Sequence, residues 1–154
     1  MKQTLKPDSR SSSRRLKIKT TWGTVTLTLD NSGKAVALEL PHLGRKPRAE
    51  FNVTDFFRKL EKKFGPVKIP ERTEFQRAVW REMKKIPRGQ TRTYGEIAAA
   101  IGRPKAVRAV GTACGANPLP VFIPCHRVVA ANGPGGFGSG LPWKLLLLNL
   151  EGAR

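Results

Sequence analysis

The chain is poor in cysteine, in acidic side chains and in long apolar runs, and each shortage narrows what it can be. Two cysteines among 154 residues, Cys114 and Cys125, allow no disulfide framework, no metal-binding CxxC and no redox pair. A reducing, intracellular setting is the expectation, cytoplasmic and, in a prokaryote, associated with the nucleoid. No stretch approaches the roughly 18 apolar residues of a membrane-spanning helix; Leu145 to Leu148 with its neighbours is the longest run. The N-terminus, MKQTLKPDSRSSSRRLKIKT, is basic but has no apolar h-region, so neither secretion nor twin-arginine export is expected. Acids are scarce: 11 Asp and Glu face 29 Lys and Arg, leaving +18 at pH 7, a field suited to nucleic acid or another anionic surface. Between Glu96 and Glu151 there is no carboxylate at all, while positions 97–150 hold five Lys or Arg.

What is present falls into three stretches. Residues 1–19 carry seven Lys or Arg and a Ser-rich segment, and are expected to form a flexible basic arm. From Thr24 the apolar period is two: Val25, Leu27 and Leu29, a turn at Asp30-Asn31-Ser32-Gly33, then Val36, Leu38 and Leu40, which predicts a β-hairpin. Phe56, Leu60 and Phe64 then recur at helical spacing until Gly65-Pro66, so 20–66 reads as a small α+β domain. Residues 70–154 read as a mainly helical domain. Thr73-Glu74-Phe75-Gln76 and Thr93-Tyr94-Gly95-Glu96 are capping boxes opening two helices. A further helix is expected over 104–114, with Pro104 in its first turn and Val107, Val110 and Cys114 as its buried face. The last two helices, joined through Gly102-Arg103-Pro104, form a helix-turn-helix pattern, plain or winged, whose second helix turns Arg108, Lys105 and Thr112 outward. The fold class expected is therefore α+β: an antiparallel hairpin or sheet with a helix, followed by a helical domain. A closing helix, Trp143 to Leu150, is apolar nearly all round and expected to be buried, with Lys144 the exception.

The chemistry concentrates in Asn117-Pro118-Leu119-Pro120-Val121-Phe122-Ile123-Pro124-Cys125-His126-Arg127, read as a proline-bracketed apolar strand that delivers a cysteine beside a histidine. A cysteine reacts as its thiolate, so it needs a base or cationic surroundings, which His126 and Arg127 supply. A carboxylate would orient the imidazole, and Glu151 is the acid near enough in sequence. Cys114, on the apolar face of its helix, is read as inert packing. His42 has no companion at metal-ligand spacing and is given no role. Gly133 to Gly140 holds five glycines in eight residues; it fits neither a phosphate-binding loop nor a dinucleotide fingerprint, so no nucleotide cofactor is implied, but it permits close backbone approach to a flat ligand.

Pro124-Cys125-His126-Arg127-Val128, with Asn117-Pro118, Thr93-Tyr94-Gly95-Glu96 and Arg108, resembles the O6-alkylguanine-DNA alkyltransferases from about Thr73 to Gly152. The resemblance implies suicide repair of double-stranded DNA: base flipping, then irreversible transfer of an alkyl group from O6-alkylguanine to Cys125, with O4-alkylthymine a further candidate substrate and no cofactor. It implies that His126 deprotonates Cys125 through a water, Glu151 orients His126, Asn117 holds the active-site turn, Tyr94 crowds the 3′ phosphate and bonds the guanine, and Lys144 supports its protonation. Arg108 would fill the gap left by the base, with Thr93, Lys105, Thr112 and Arg127 also toward DNA. Val128, Gly136, Phe137, Gly138 and Ser139 would line the pocket. The structural zinc of some members has no ligand set here, so no metal is expected. Phe137 stands where a tyrosine is common and Ser139 where a glycine often stands, which bears on the size of adduct accepted.

Three other readings compete. A non-enzymatic alkylated-base-binding protein of the alkyltransferase-like type usually has another residue, commonly Trp, at the position of Cys125. A Cys-His hydrolase leaves the helix-turn-helix and the +18 charge unexplained. A plain DNA-binding regulator does not require the Cys-His pair. A monomer with no obligate protein partner is the simplest expectation, since one flipped base needs one site.

Overall fold

The computed structural model describes residues 3–7, 13–43 and 53–153. The chain divides into two compact units, Met1–Lys68 and Ile69–Arg154, close to the boundary expected from Gly65 to Pro70.

The first unit is a four-stranded antiparallel sheet, β1 (Gln3–Pro7), β2 (Arg14–Thr20), β3 (Gly23–Leu29) and β4 (Ala35–Glu39), in that order, followed by helix α1 (Val53–Phe64). The flexible arm expected over 1–19 is thus corrected: its described residues form β1 and most of β2, and the remainder lies outside the described residues. The cause is pairing that composition does not reveal. Leu16 and Ile18 alternate with Arg15, Lys17 and Lys19, so one edge of a very basic strand still carries an apolar face, set opposite Leu27 and Val25 of β3. Leu16, Ile18, Val25, Leu27 and Leu38 are buried together with Phe56, Phe57 and Leu60 of α1, and Trp22 meets Phe56 edge-on with centroids 5.3 Å apart. The register slips at Thr28/Leu29, so that Ala35 is buried and Val36, expected inside, is exposed.

The second unit holds α2 (Glu74–Lys84), β5 (Arg92–Thr93), α3 (Tyr94–Ala100), α4 (Val107–Gly115), β6 (Val128–Val129) and α5 (Leu141–Leu150), with β5 parallel to β6. Both capping boxes form. Thr73 accepts from the Gln76 amide and Thr93 from the Glu96 amide, and each glutamine or glutamate side chain returns to the cap's own N–H, satisfying donors that a helix start leaves open. Val79, Trp80, Met83 and Ile86 bury one face of α2 and its end, and Trp80 Nε1 donates to the Ala113 carbonyl of α4 at 2.8 Å. Such side chains contribute roughly 1.5–3 kcal/mol each on burial, so α2 anchors α4 firmly.

Helix α4 starts three residues later than expected. Pro104 sits in the preceding turn, Ala106 is the N-cap, and Val107 is 41% exposed; the buried face is Val110, Ala113 and Cys114. Helix α5 is not buried all round: Leu141, Leu145 and Leu150 are exposed, whereas Lys144 is fully buried beside Trp143 and Leu147.

Candidate active site

The segment before Cys125 is not a strand. Asn117 braces it as a loop: its amide donates to the Ile123 carbonyl at 2.8 Å and its side-chain oxygen accepts from the Leu119 amide at 2.9 Å. Val121 is held at φ +74° inside this loop, a left-handed conformation that a β-branched residue adopts only under constraint, at a cost of order 1–3 kcal/mol. Proline-rich sequence had suggested an extended platform; prolines instead fix the corners of a bent one, and Cys125–Arg127 form a single 3-10 turn. That turn replaces strand alternation and allows neighbouring Cys125 and His126 both to be buried.

His126 Nε2 lies 2.9 Å from Glu151 Oε1 at the end of α5. Glu151 also receives a two-pronged clasp from Arg127, with Nη2 donating to Oε1 at 2.8 Å and Nε to Oε2 at 3.0 Å, while Arg127 Nη1 donates to the Ile86 carbonyl at 2.8 Å. Arg127, expected against DNA, is therefore turned inward, because its guanidinium matches a buried carboxylate in a bidentate fork. Burial pushes the Glu151 carboxyl up, but the bonds from His126 and Arg127 outweigh it and bring its pKa to about 2. An ionised Glu151 only accepts, so the ring proton of His126 belongs on Nε2, leaving Nδ1 as the basic atom. Nδ1 is buried and has no hydrogen-bond partner within the protein. Burial also lowers the His126 pKa, against the raising effect of Glu151, which favours the neutral ring.

Cys125 faces a pocket of about 300 Å³ lined by Tyr94, Gly111, Cys114, Gly115, Cys125, Gly136, Phe137 and Gly138. This lies at the lower end of the usual range for small-molecule sites. Sequence reasoning expected cationic surroundings to lower the thiol's pKa; burial instead pushes it up, with the Asn117 side chain and Lys144 opposing. The resting cysteine is a protected thiol rather than a standing thiolate.

Lys144 Nζ donates to the Val128 carbonyl at 2.5 Å and the Gly136 carbonyl at 2.9 Å, and stands 5.7 Å from the centre of the Tyr94 ring. It ties the glycine loop to β6, and burial lowers its pKa. Tyr94 begins α3, directly after its cap, and burial raises its phenol pKa while the Gly136 backbone opposes. Gly135 has φ +74°, and a Cβ there would stand 2.6 Å from the Tyr94 hydroxyl, so this glycine is required by the protein itself.

The expected lining is met by Gly136, Phe137 and Gly138 but not by Val128 or Ser139; Val128 is fully buried and serves through its carbonyl. Gly111, Cys114 and Gly115 were missed as lining, although their i, i+3, i+4 spacing on one helix was a readable signal. Cys114, read as packing, lines the pocket and also places its sulfur 3.5 Å from that of Met83; burial pushes its thiol up to about 12, so it is unreactive. Arg108, Lys105 and Thr112 are exposed as expected, with the Thr112 hydroxyl returning to the Arg108 carbonyl, while the half-buried Thr93 spends its hydroxyl on the cap. Among the described residues, no three His, Cys, Asp or Glu side chains are grouped as a metal ion requires.

Residues 74–153 match the family described as 6-O-methylguanine DNA methyltransferase, DNA binding domain. The chain is 56% identical over 93 residues to a methylated-DNA–protein-cysteine methyltransferase of Methanosarcina acetivorans, covering 60% of each. To the protein of the same name in Methanosarcina mazei it is 48% identical over 109 residues, 63% of this chain and 69% of that one. Its fold superposes on Mycobacterium tuberculosis OGT, solved in complex with DNA, with a TM-score of 0.67 and 32% identity, covering 88% of this chain and 90% of that one. The matched stretch thus spans about 60% of the length of the M. acetivorans relative. It contains every side chain of the site built above, and the chain belongs to the 6-O-methylguanine DNA methyltransferase family.

Proposed function

We propose that the protein repairs double-stranded DNA by moving the alkyl group of an O6-alkylguanine onto Cys125, once and irreversibly, acting as a monomer. One observation carries this reading: a buried cysteine opens on a small pocket next to a neutral histidine whose proton is fixed away from its basic nitrogen by Glu151. A pocket that small and recessed accepts a single base, so the damaged nucleotide leaves the duplex first. Arg108, exposed on α4, is the side chain suited to occupy the gap, with Lys105 and Thr112 beside it.

The transfer is a displacement at the alkyl carbon. His126 Nδ1 takes the thiol proton, through a water. The Cys125 sulfur then bonds to the alkyl carbon as the carbon–O6 bond breaks and its electron pair returns to the guanine. The proton gained by His126 is balanced by one delivered to the guanine, with the Tyr94 hydroxyl as the nearest donor and Lys144 holding that ring and loop in place. Donors aimed where negative charge develops lower the barrier most in a dry site. The product thioether has no leaving group, so no second cycle follows. Raising the resting thiol's pKa by burial suits a protein that is spent by one reaction, since it suppresses oxidation and stray alkylation before the base arrives.

The test is direct. After incubation with a duplex carrying one O6-methylguanine, intact-protein mass spectrometry should show a stoichiometric gain of one methyl group, mapped to Cys125 and abolished in Cys125→Ala. Tight lesion binding with no mass gain overturns the reading in favour of a damage-binding protein.

A further inference from the structure

Seven glycines of the described chain have a positive φ, and at Gly135 a side chain would strike Tyr94. Gly111 and Gly115 have neither reason. Both lie within α4 at ordinary helical backbone angles, and a Cβ built on either meets no atom within 4 Å. Gly115 is not serving as a left-handed helix terminator, because the cap after it, Ala116, is right-handed with φ −84°. Each glycine makes the helix less favourable than alanine would, by about 1 kcal/mol. Nothing in the protein's own packing or backbone accounts for them, yet both line the pocket together with Cys125.

We infer that Gly111 and Gly115 set the size of the group that can be removed, keeping the α4 wall open so that the pocket accepts O6 adducts well beyond methyl, up to an aromatic ring. This rests on the alkyl-transfer reading and names its substrate class. Residues four apart share one face, so the two missing side chains leave one continuous recess along the helix. Cys114, between them in the pocket wall, adds a soft, unreactive sulfur surface against which an apolar adduct can pack. Across the pocket Phe137 supplies an aromatic face, and Gly136 and Gly138 keep the loop low: a Cβ on Gly136 meets nothing within 4 Å, and on Gly138 only the Gly115 carbonyl at 3.8 Å. For a benzyl group the chemistry is unchanged: the sulfur–benzyl bond forms, the benzyl–O6 bond breaks, and the thiol proton is balanced on the guanine.

Gly111→Ala, Gly115→Ala and the double variant, in the full chain, isolate the wall from the rest. The added methyl groups clash with nothing and favour the helix, so thermal melting should be unchanged or higher. Single-turnover transfer is measured from two duplexes of the same sequence, one carrying O6-methylguanine and the other O6-benzylguanine. The ratio of the two rates cancels effects common to both, including DNA affinity. Methyl transfer should stay within about 2-fold of the parent while benzyl transfer falls about 10-fold or more in the double variant, the range a single misplaced carbon produces in a fitted pocket. An unchanged ratio overturns the inference, including the case in which both rates fall together because the glycines serve close approach to DNA. So does a parent protein that takes methyl but not benzyl. A parent that takes neither group removes the alkyl-transfer reading itself.

Discussion

At the scale of single residues, the site is built from opposed pairs of effects, and geometry decides each. Burial alone would protonate Glu151, yet the Arg127 clasp and the His126 bond bring it to about 2, so the acid remains an acceptor through the whole useful pH range. That fixed charge assigns the His126 proton to Nε2. Burial then holds the imidazole neutral below its ordinary value of 6.5. The consequence for rate has a definite sign. The basic form of His126 dominates above its pKa, and because that pKa is lowered, alkyl transfer should persist unchanged down through pH 6.5 and decline only in more acid solution. Single-turnover rates between pH 5 and 8 check this; an acid limb with its midpoint above 6.5 would mean that His126 is not the base, or that Glu151 raises it more than burial lowers it. Arg127 shows the limit of residue-level reasoning from sequence. An arginine beside the nucleophile in a basic protein reads as a phosphate contact, and only the fold reveals that α5 delivers a carboxylate to it from 24 positions away.

At the scale of elements, local chemistry was legible and non-local pairing was not. Thr73/Gln76 and Thr93/Glu96 announced two helix starts because a capping box is complete within four residues. The β3–β4 hairpin and α1 followed from periodicity in the same way. Strand β2 was lost because its charge dominates its composition, although Leu16 and Ile18 carried the period-two signal; what makes it a strand is β3 lying beside it. The catalytic loop was misread as a strand because prolines fix φ without saying which way the chain turns next, and that depends on Asn117 reaching Ile123. Lys144 was singled out as an oddity, but its burial depended on two carbonyls from distant segments. The Thr93 box has functional weight beyond α3 itself, since Tyr94 is the first residue of the helix and its position depends on that cap. Thr93→Ala should lower stability by about 1 kcal/mol, with Thr93→Ser restoring most of it. Urea denaturation measures this, and an unchanged midpoint would mean that the Glu96 side chain alone holds the helix start.

At the scale of the whole molecule, the +18 charge and the pocket answer different questions. Basic residues are spread over both units: positions 1–68 hold sixteen Lys and Arg against six acids, and positions 69–154 thirteen against five. A field so distributed attracts any duplex, and through counterion release the affinity should fall steeply as salt rises, each neutralised phosphate adding about 0.9 to the slope of log K against log salt. That term carries no information about damage. Selectivity has to come from the few groups that act only once a base has left the stack, and Arg108 is the one placed for it, exposed on the helix whose other face lines the pocket. The two roles are separable by experiment. If Arg108 fills the gap in the stack rather than pairing with a phosphate, Arg108→Ala should reduce transfer from O6-methylguanine in duplex DNA by tenfold or more while leaving the salt slope for undamaged duplex within experimental error of the parent. A slope reduced by about 0.9, with transfer at saturating DNA unaffected, would instead make Arg108 an ordinary phosphate contact. Anisotropy titrations across a salt series, paired with single-turnover transfer at saturating duplex, distinguish the two, because the first reads charge neutralised on binding and the second reads what happens after the base is out.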